Sequence, residues 1–317
     1  MTLRLPLRVG TRGSPLALAQ ARLVRAALLA AEPSLGDAAV EIVVVSTQGD
    51  RIQDRTLAEI GGKGLFTEEI EAGLLQGSLD LAVHSTKDMP TLLPDGLVIG
   101  GVLPRADPRD ALIARGPRSI AELPLGAIVG TASLRRQAQL CASRPDLVVV
   151  PLRGNVQTRL RKLEAGDVQA TFLAMAGLIR LGLEGVVSKA LEPEEMLPAV
   201  AQGAIGIECR ADDAPVLELL ARVDHAPTLA CITAERAFLG ALDGSCRTPI
   251  AALAELEGAE LRLRGLVASP DGRAVDRIET RGAAADGAAL GAATGAELRA
   301  RLGPEHAAAW PAGTSSA

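Results

Sequence analysis

Leu79-Asp80-Leu81-Ala82-Val83-His84-Ser85-Thr86-Lys87-Asp88-Met89-Pro90 is the stretch whose reading decides the fold. Leu81 to Val83 is an apolar run of the kind that forms a short buried strand. It leads straight into His84, Ser85, Thr86, Lys87 and Asp88, and stops at Pro90. A carboxylate and an ammonium beside a buried strand end are costly to desolvate unless each has a partner. Open α/β sheets bind ligands just beyond the carboxyl ends of their strands. The stretch is therefore either a solvated turn or an acid, Asp88, held near a cation at a ligand-binding edge. Three other strand ends look alike and favour the second reading.

Upstream, Leu3 to Val9 predicts a strand and Thr11-Arg12-Gly13 a turn. Ser14 suits an N-cap, with Pro15 at the first position of a helix to about Ala31. Val40 to Thr47, rich in Val and Ile, predicts the next strand. A polar stretch, Gln48 to Glu59, leads to Gly61-Gly62-Lys63-Gly64, a cluster that suits a mobile loop. It is no phosphate-binding loop, because Gly64 follows the lysine where Ser or Thr is needed. Thr67 opens a helix to about Gln76, and Leu97 to Leu103 is a further strand. Pro104 to Pro108 reads as a linker.

The block beyond the linker repeats the logic. Ala111 to Ala114 and Ala127 to Gly130 are strands, and Ser119-Ile120-Ala121-Glu122 is a capping-box pattern for a short helix between them. Thr131-Ala132-Ser133 turns into a helix with Arg135 and Arg136 in its first turn. Cations are unfavourable at that end of a helix dipole. An anion resting on the helix end would account for them. The strand Leu147 to Leu152 ends at Arg153, ahead of Asn155 as N-cap and Arg159 one turn in. Arg180 falls early in the helix after the strand Ala170 to Ala174. Arg12, Arg135, Arg136, Arg153, Arg159 and Arg180 thus share strand-to-helix turns. That placement predicts a site for several carboxylates or phosphates.

Glu194 to Ala201 reads as helical in part, Ala204 to Cys209 as a strand and Ala214 to Val223 as a helix. A second boundary falls in Asp224 to Pro227. Thr228 caps a long helix to Leu242, and Asp243 to Pro249 is a tight turn. A strand, Ile250 to Leu256, a hairpin of Leu261 to Ala268 with Val275 to Thr280, and a helix in Ala288 to Leu302 complete a small α+β block. Cys141, Cys209 and Cys231 read as buried small hydrophobes. Cys246 lies on the turn beside Arg247, which favours thiolate and exposure, so it is a candidate nucleophile or attachment point.

Composition narrows the function classes. The 317 residues allow two or three domains, and 48% are hydrophobic. There is no Tyr, one Trp and three Phe, so stacking platforms for single-stranded nucleic acid are missing. A formal charge of −5 argues against a general polyanion binder. The four cysteines form no Cys-x-x-Cys pair, and His84, His225 and His306 lie far apart, so no metal site is expected. No apolar run reaches the length of a membrane span, and a strand begins at Leu3, which leads us to expect a cytoplasmic protein.

Taken together, the stretches resemble the porphobilinogen deaminase family. The matching pieces are Thr11 to Leu18, Gly61 to Phe66, Val83 to Pro90, Gly130 to Gln137, Leu152 to Val156, Pro198 to Gly203 and Glu235 to Pro249. They occur in the family's order over about residues 4–250, and beyond Ile250 the similarity is weak. The resemblance implies an α/β fold of two similar lobes, like two-lobed periplasmic-type binding proteins, plus a small α+β C-terminal domain. It places domain 1 at 1–103 plus 204–222, domain 2 at 109–197 and a cofactor-carrying domain 3 at 226–317. It implies a dipyrromethane cofactor covalently attached through Cys246. On this primer four porphobilinogen units are joined with loss of ammonia, and the product is the linear tetrapyrrole hydroxymethylbilane.

By position, Asp88 matches the family's catalytic aspartate. Arg12, Ser14, Arg135, Arg136, Arg153, Arg159 and Arg180 match its carboxylate-binding residues. Lys87 and Ser133 match cofactor contacts, while Lys63 and Phe66 belong to the loop over the site. Each pyrrole unit carries an acetate and a propionate, so a growing chain needs many cations. Ser245, Glu59 and Ala19 depart from the family's usual residues, but none removes a catalytic group. A monomer that binds no nucleic acid, membrane or metal is the family expectation. The rival reading is a non-catalytic two-lobed carboxylate- or tetrapyrrole-binding protein, which would need neither Asp88 nor Cys246.

Overall fold

The structure, a computed structural model, describes residues 3–51, 65–245, 248–303 and 306. Its strands are β1 (Leu7–Arg12), β2 (Val40–Val45), β3 (Leu81–Ser85), β4 (Leu97–Val102), β5 (Asp110–Ala114), β6 (Ile128–Gly130), β7 (Val148–Val150), β8 (Ala170–Ala174), β9 (Lys189–Leu191), β10 (Ile205–Arg210), β11 (Ile250–Glu257), β12 (Glu260–Ala268) and β13 (Val275–Ala283). Among the described residues, one compact unit takes 3–51, 65–106 and 203–229, and a second takes 107–202 and 230–303 with 306.

The first unit is built on a five-stranded sheet of order β2-β1-β3-β10-β4. β1 runs parallel to β2 and β3, while β10 is antiparallel to β3 and β4. One face packs on the helix Pro15–Ala31 and the helix Ala214–Ala221 through Leu7, Val9, Val24, Leu28, Val83, Ile207 and Leu220. The other face packs on the helix Glu68–Leu75 through Ile70, Leu74, Leu79 and Ala82. Fully burying such a Val, Leu or Ile side chain stabilises by roughly 1.5–3 kcal/mol.

The second unit contains a sheet of the same design. Its order is β7-β6-β8-β5-β9, with β6 parallel to β7 and β8, and β5 antiparallel to β8 and β9. In each sheet the fourth strand runs against its neighbours. In the first it is the returning chain, β10; in the second it is the arriving chain, β5. The second unit also holds the antiparallel sheet β11-β12-β13, backed by the helix Gly287–Arg301.

Most expected elements form; the long helix begins at Ala226, so Thr228 lies inside its first turn and does not cap it, and four further elements differ for local reasons. The first strand is Leu7–Arg12 rather than Leu3 to Val9, because it takes its register from β2. Ser119 and Glu122 do exchange capping contacts, Glu122 N to Ser119 Oγ at 3.3 Å and Arg118 N to Glu122 Oε2 at 2.8 Å, but only turns follow. Pro124 stops a helix there before it can start. Glu194 to Ala201 likewise forms turns and irregular chain, with Pro193 just before it and Pro198 inside it. Finally, the helix Met175–Arg180 begins directly after β8, so Arg180 is its last residue and not an early one. A cation suits that end of the helix dipole.

Candidate active site

Parallel strands deliver their carboxyl ends to one edge, and each unit gathers its polar residues there. In the first unit Arg12 is the last residue of β1, and Asp88 closes the 3-10 turn Thr86–Asp88 that follows β3. Arg12, Ser14, Gln20, Phe66, Ser85 and Asp88 line one cleft. The Arg12 guanidinium lies over the Phe66 ring, 4.1 Å from its centroid, a cation–π contact that fixes the charge at the cleft wall. Ser14 caps the helix Pro15–Ala31, accepting from Ala17 N at 3.2 Å. Gln20, buried on that helix, donates to Ser85 Oγ at 2.8 Å and secures the end of β3. Lys87 and Asp88 are half-buried in the same turn. Lys63 lies outside the described residues.

In the second unit the equivalent edge carries the arginines. Ser133 caps the helix Leu134–Ser143, as its place after Thr131 suggests, and its own N–H donates to Thr131 Oγ1 at 3.1 Å. Arg135 and Arg136 are buried in the first turn of that helix. Asp110, the first residue of β5 and fully buried, answers them both. Arg135 Nη1 donates to Asp110 Oδ2 at 2.6 Å and to the Leu197 carbonyl at 2.9 Å. Arg136 donates to Asp110 Oδ1 from Nη2 at 2.7 Å and to the Phe172 carbonyl at 2.8 Å. The anion demanded by two cations at a helix N-terminus is thus in part a residue of the protein. Two guanidiniums against one carboxylate still leave a positive charge.

Arg153, Arg159 and Arg180 complete the set. Gly154, at φ 114, turns the chain from β7 into the helix Val156–Ala165, which Asn155 caps by accepting from Thr158 N at 2.9 Å. Arg159 Nε donates back to the Gly154 carbonyl at 2.9 Å. Arg153 keeps a buried Nη1 that meets no hydrogen-bond acceptor among the described residues. Burial pulls the Arg180 guanidinium down to about 10, so it stays a cation at neutral pH while poorly hydrated. A ligand with several carboxylates fits these features. It would satisfy Arg153 Nη1 and the surplus charge at Asp110, and Arg180 adds a buried cation to the same unit. Cys246, the expected attachment point, lies outside the described residues, as does Arg247.

Comparison with known proteins meets this geometry. Residues 7–218 match the family model described as porphobilinogen deaminase, dipyromethane cofactor binding domain, and residues 229–300 match the porphobilinogen deaminase C-terminal domain. The chain is 60% identical over 296 residues to a porphobilinogen deaminase of Paracoccus denitrificans (strain Pd 1222), covering 93% of this chain and 94% of that protein. The chain belongs to the porphobilinogen deaminase family. Its activity is hydroxymethylbilane synthesis in tetrapyrrole biosynthesis, with a dipyrromethane cofactor. Solved structures with weaker likeness include a putative methionine-binding lipoprotein of Bacillus subtilis subsp. subtilis str. 168, at 13% identity and TM-score 0.43 over 69% of this chain and 90% of that one. An ABC transporter periplasmic substrate-binding protein of Coxiella burnetii gives 18% identity and TM-score 0.41 over 71% and 94%.

Sequence reasoning missed Asp110, the buried partner of Arg135 and Arg136, and Gln20 and Ser85, which line the Asp88 cleft. Asp110 had a signal: a carboxylate heading the otherwise apolar strand Asp110–Ala114 needs a buried cation. Gln20 had a weaker one, a polar residue on the buried face of an apolar helix. No helix among the described residues is long and apolar enough to cross a membrane.

Proposed function

We propose that Asp88 is the catalytic acid–base group and that the arginines of the two units hold the carboxylates of substrate and growing chain. The observation that carries this is the shared cleft of Asp88 and Arg12 at the carboxyl ends of β3 and β1. A cation and a carboxylate on one wall match a substrate with acidic side arms and a pyrrole N–H beside a departing amine.

Ammonia leaves porphobilinogen only as the amine carries its extra proton, and the electrons of the pyrrole ring replace the broken carbon–nitrogen bond. The ring that remains is a cationic azafulvene. Asp88 keeps the proton on the departing nitrogen and then, as carboxylate, faces the ring N–H and offsets the positive charge. Arg12, anchored over Phe66, and Ser14 orient the acetate or propionate of the incoming unit. Arg135, Arg136, Arg153, Arg159 and Arg180 hold the carboxylates already in place, with Ser133 and Lys87 as further contacts. When bound, the dipyrromethane supplies a nucleophilic pyrrole carbon as primer, and Cys246 is its attachment point. Lys63, close to Phe66 in sequence, is a further substrate contact that the family resemblance suggests. A charge-assisted hydrogen bond contributes roughly 1.5–3 kcal/mol, so these contacts position the rings but do not break bonds.

Domains at 1–103 plus 204–222, 109–197 and 226–317 suit this division of labour. The insertion of β10 beside β3 and the separate sheet β11-β12-β13 support them. A cytoplasmic monomer suits a biosynthetic enzyme of this family. In the Asp88→Ala holoenzyme, turnover should fall by about 10²–10⁴ with the far-UV spectrum unchanged. Turnover near the wild-type rate would defeat the assignment.

A further inference from the structure

His84 and Glu208 meet across antiparallel strands β3 and β10, where Gly206 pairs with His84 and Glu208 with Ala82. His84 Nε2 lies 3.0 Å from Glu208 Oε2. The residues are 6% and 0% exposed, and the contact is an ion-pair approach: His84 Nε2 and both Glu208 oxygens make no hydrogen bond among the described residues. A carboxylate this dry needs a positive partner, and the imidazole is the group in reach.

Other charged groups on neighbouring elements surround the pair. The helix Glu68–Leu75 covers this face and brings Glu71, which is buried. Burial pushes the Glu71 carboxyl up, and the Glu208 charge adds to that. Glu68 lies in the first turn of the same helix and acts on Glu71. β1 brings Arg12: the register Val9–Leu81, Gly10–Ala82, continued two residues, sets Arg12 level with His84. β4 contributes no charged residue. On β3 itself, Lys87 and Asp88 follow the strand end.

The pair also sits where it controls geometry. Ser85 and Asp88, one and four residues on, line the cleft with His84. Thr86 N donates to the Ala204 carbonyl at 3.2 Å and Met89 N to the Thr86 carbonyl at 3.2 Å. Gly206, opposite His84, lets Thr86 and Met89 close onto β10: an added Cβ would come within 3.1 Å of Thr86 Oγ1 and 3.2 Å of Met89 Sδ.

We propose that His84 is a positioning residue for Asp88: as a buried imidazolium paired with Glu208, it ties the end of β3 to β10 and sets where the Thr86–Asp88 turn presents its carboxylate. The inference rests on the reading of Asp88 given under Proposed function.

The test is a carbon-13 histidine titration of the holoenzyme by NMR, with His225→Gln and His306→Gln variants to assign the three rings. At pH 7 the His84 ring should carry protons on both nitrogens, with Nε2 facing Glu208. In Glu208→Gln holoenzyme the ring should lose one of those protons at pH 7, because the counter-charge is gone. The same variant should lose about tenfold in kcat with KM within about twofold, and the alkaline limb of its pH profile should move to lower pH. A neutral His84 ring at pH 7 in the wild type overturns the proposal, as does a wild-type pH profile in Glu208→Gln. The wild-type titration decides the pairing even where a variant fails to fold. Full turnover in Asp88→Ala beside a protonated His84 would instead locate the error in the reading of Asp88.

Discussion

Asp110 Oδ1 accepts from Arg136 twice, from Nη2 at 2.7 Å and from Nε at 3.2 Å. The contact is fully buried on the carboxylate side, and Arg135 occupies the other oxygen. Such an arrangement fixes the plane of the Arg136 guanidinium and therefore the direction in which its remaining N–H groups point.

Replacement of Asp110 should be costly and should show in acid. Burial alone would raise its carboxyl, but Arg135 and Arg136 more than offset this and hold it well below the usual carboxylate range. The folded value lies below the unfolded one, so the stabilisation is fully present above about pH 4 and is lost as pH falls through the folded value. Asp110→Asn should lose about 3–5 kcal/mol at neutral pH, because two buried guanidiniums lose their counter-charge. Urea melts at neutral and acid pH should show the gap between variant and wild type narrowing in acid. An equal gap at both would contradict the pairing.

Gly154 offers a separate test of how Arg153 and Arg159 are placed. Its φ of 114 is a region that suits glycine, and an added Cβ would lie 2.6 Å from Thr158 Cγ2. Gly154→Ala should cost about 1–3 kcal/mol of stability and disturb the turn that Arg159 Nε braces. The expected kinetic sign is a raised KM with a smaller change in kcat. Unchanged melting and kinetics would show that the turn tolerates the side chain.

These positions also show what the sequence could tell and where it stopped. Ser14-Pro15, Ser133 and Asn155 were legible as helix starts because capping is local chemistry, settled within three or four residues. The paired use of β5 and β10 was not legible from periodicity, since an antiparallel strand arriving from elsewhere in the chain has the same apolar pattern as a parallel one. The arginine cluster was visible as misplaced charge, but its buried counter-ion lies 25 and 26 residues away in Asp110. Arg180 was misplaced within its helix because Gly182, at φ 65, ends that helix sooner than the apolar pattern suggests. His84 and Glu208 lie far apart in the sequence, and only the register of β3 against β10 joins them.

Arg180 should give a pH signature of its own. Burial lowers its guanidinium to about 10, so in the proposed role it should bind carboxylates fully at neutral pH and less as pH rises through that value. Arg180→Gln should raise KM for porphobilinogen by about ten- to a hundredfold at neutral pH, the loss of one charge-assisted hydrogen bond. Against the wild type, that penalty should shrink as pH approaches 10. A penalty independent of pH would mean that Arg180 acts through packing and not through charge.

The central claim is an enzyme that builds hydroxymethylbilane on a primer held by Cys246. Intact mass of the purified protein, beside a Cys246→Ser variant, tests it most directly. The wild type should carry an excess equal to two porphobilinogen units less two ammonias, and the variant should have the bare mass of its chain. A bare wild type that stays bare after incubation with porphobilinogen, or a variant that carries the same excess, would contradict the account.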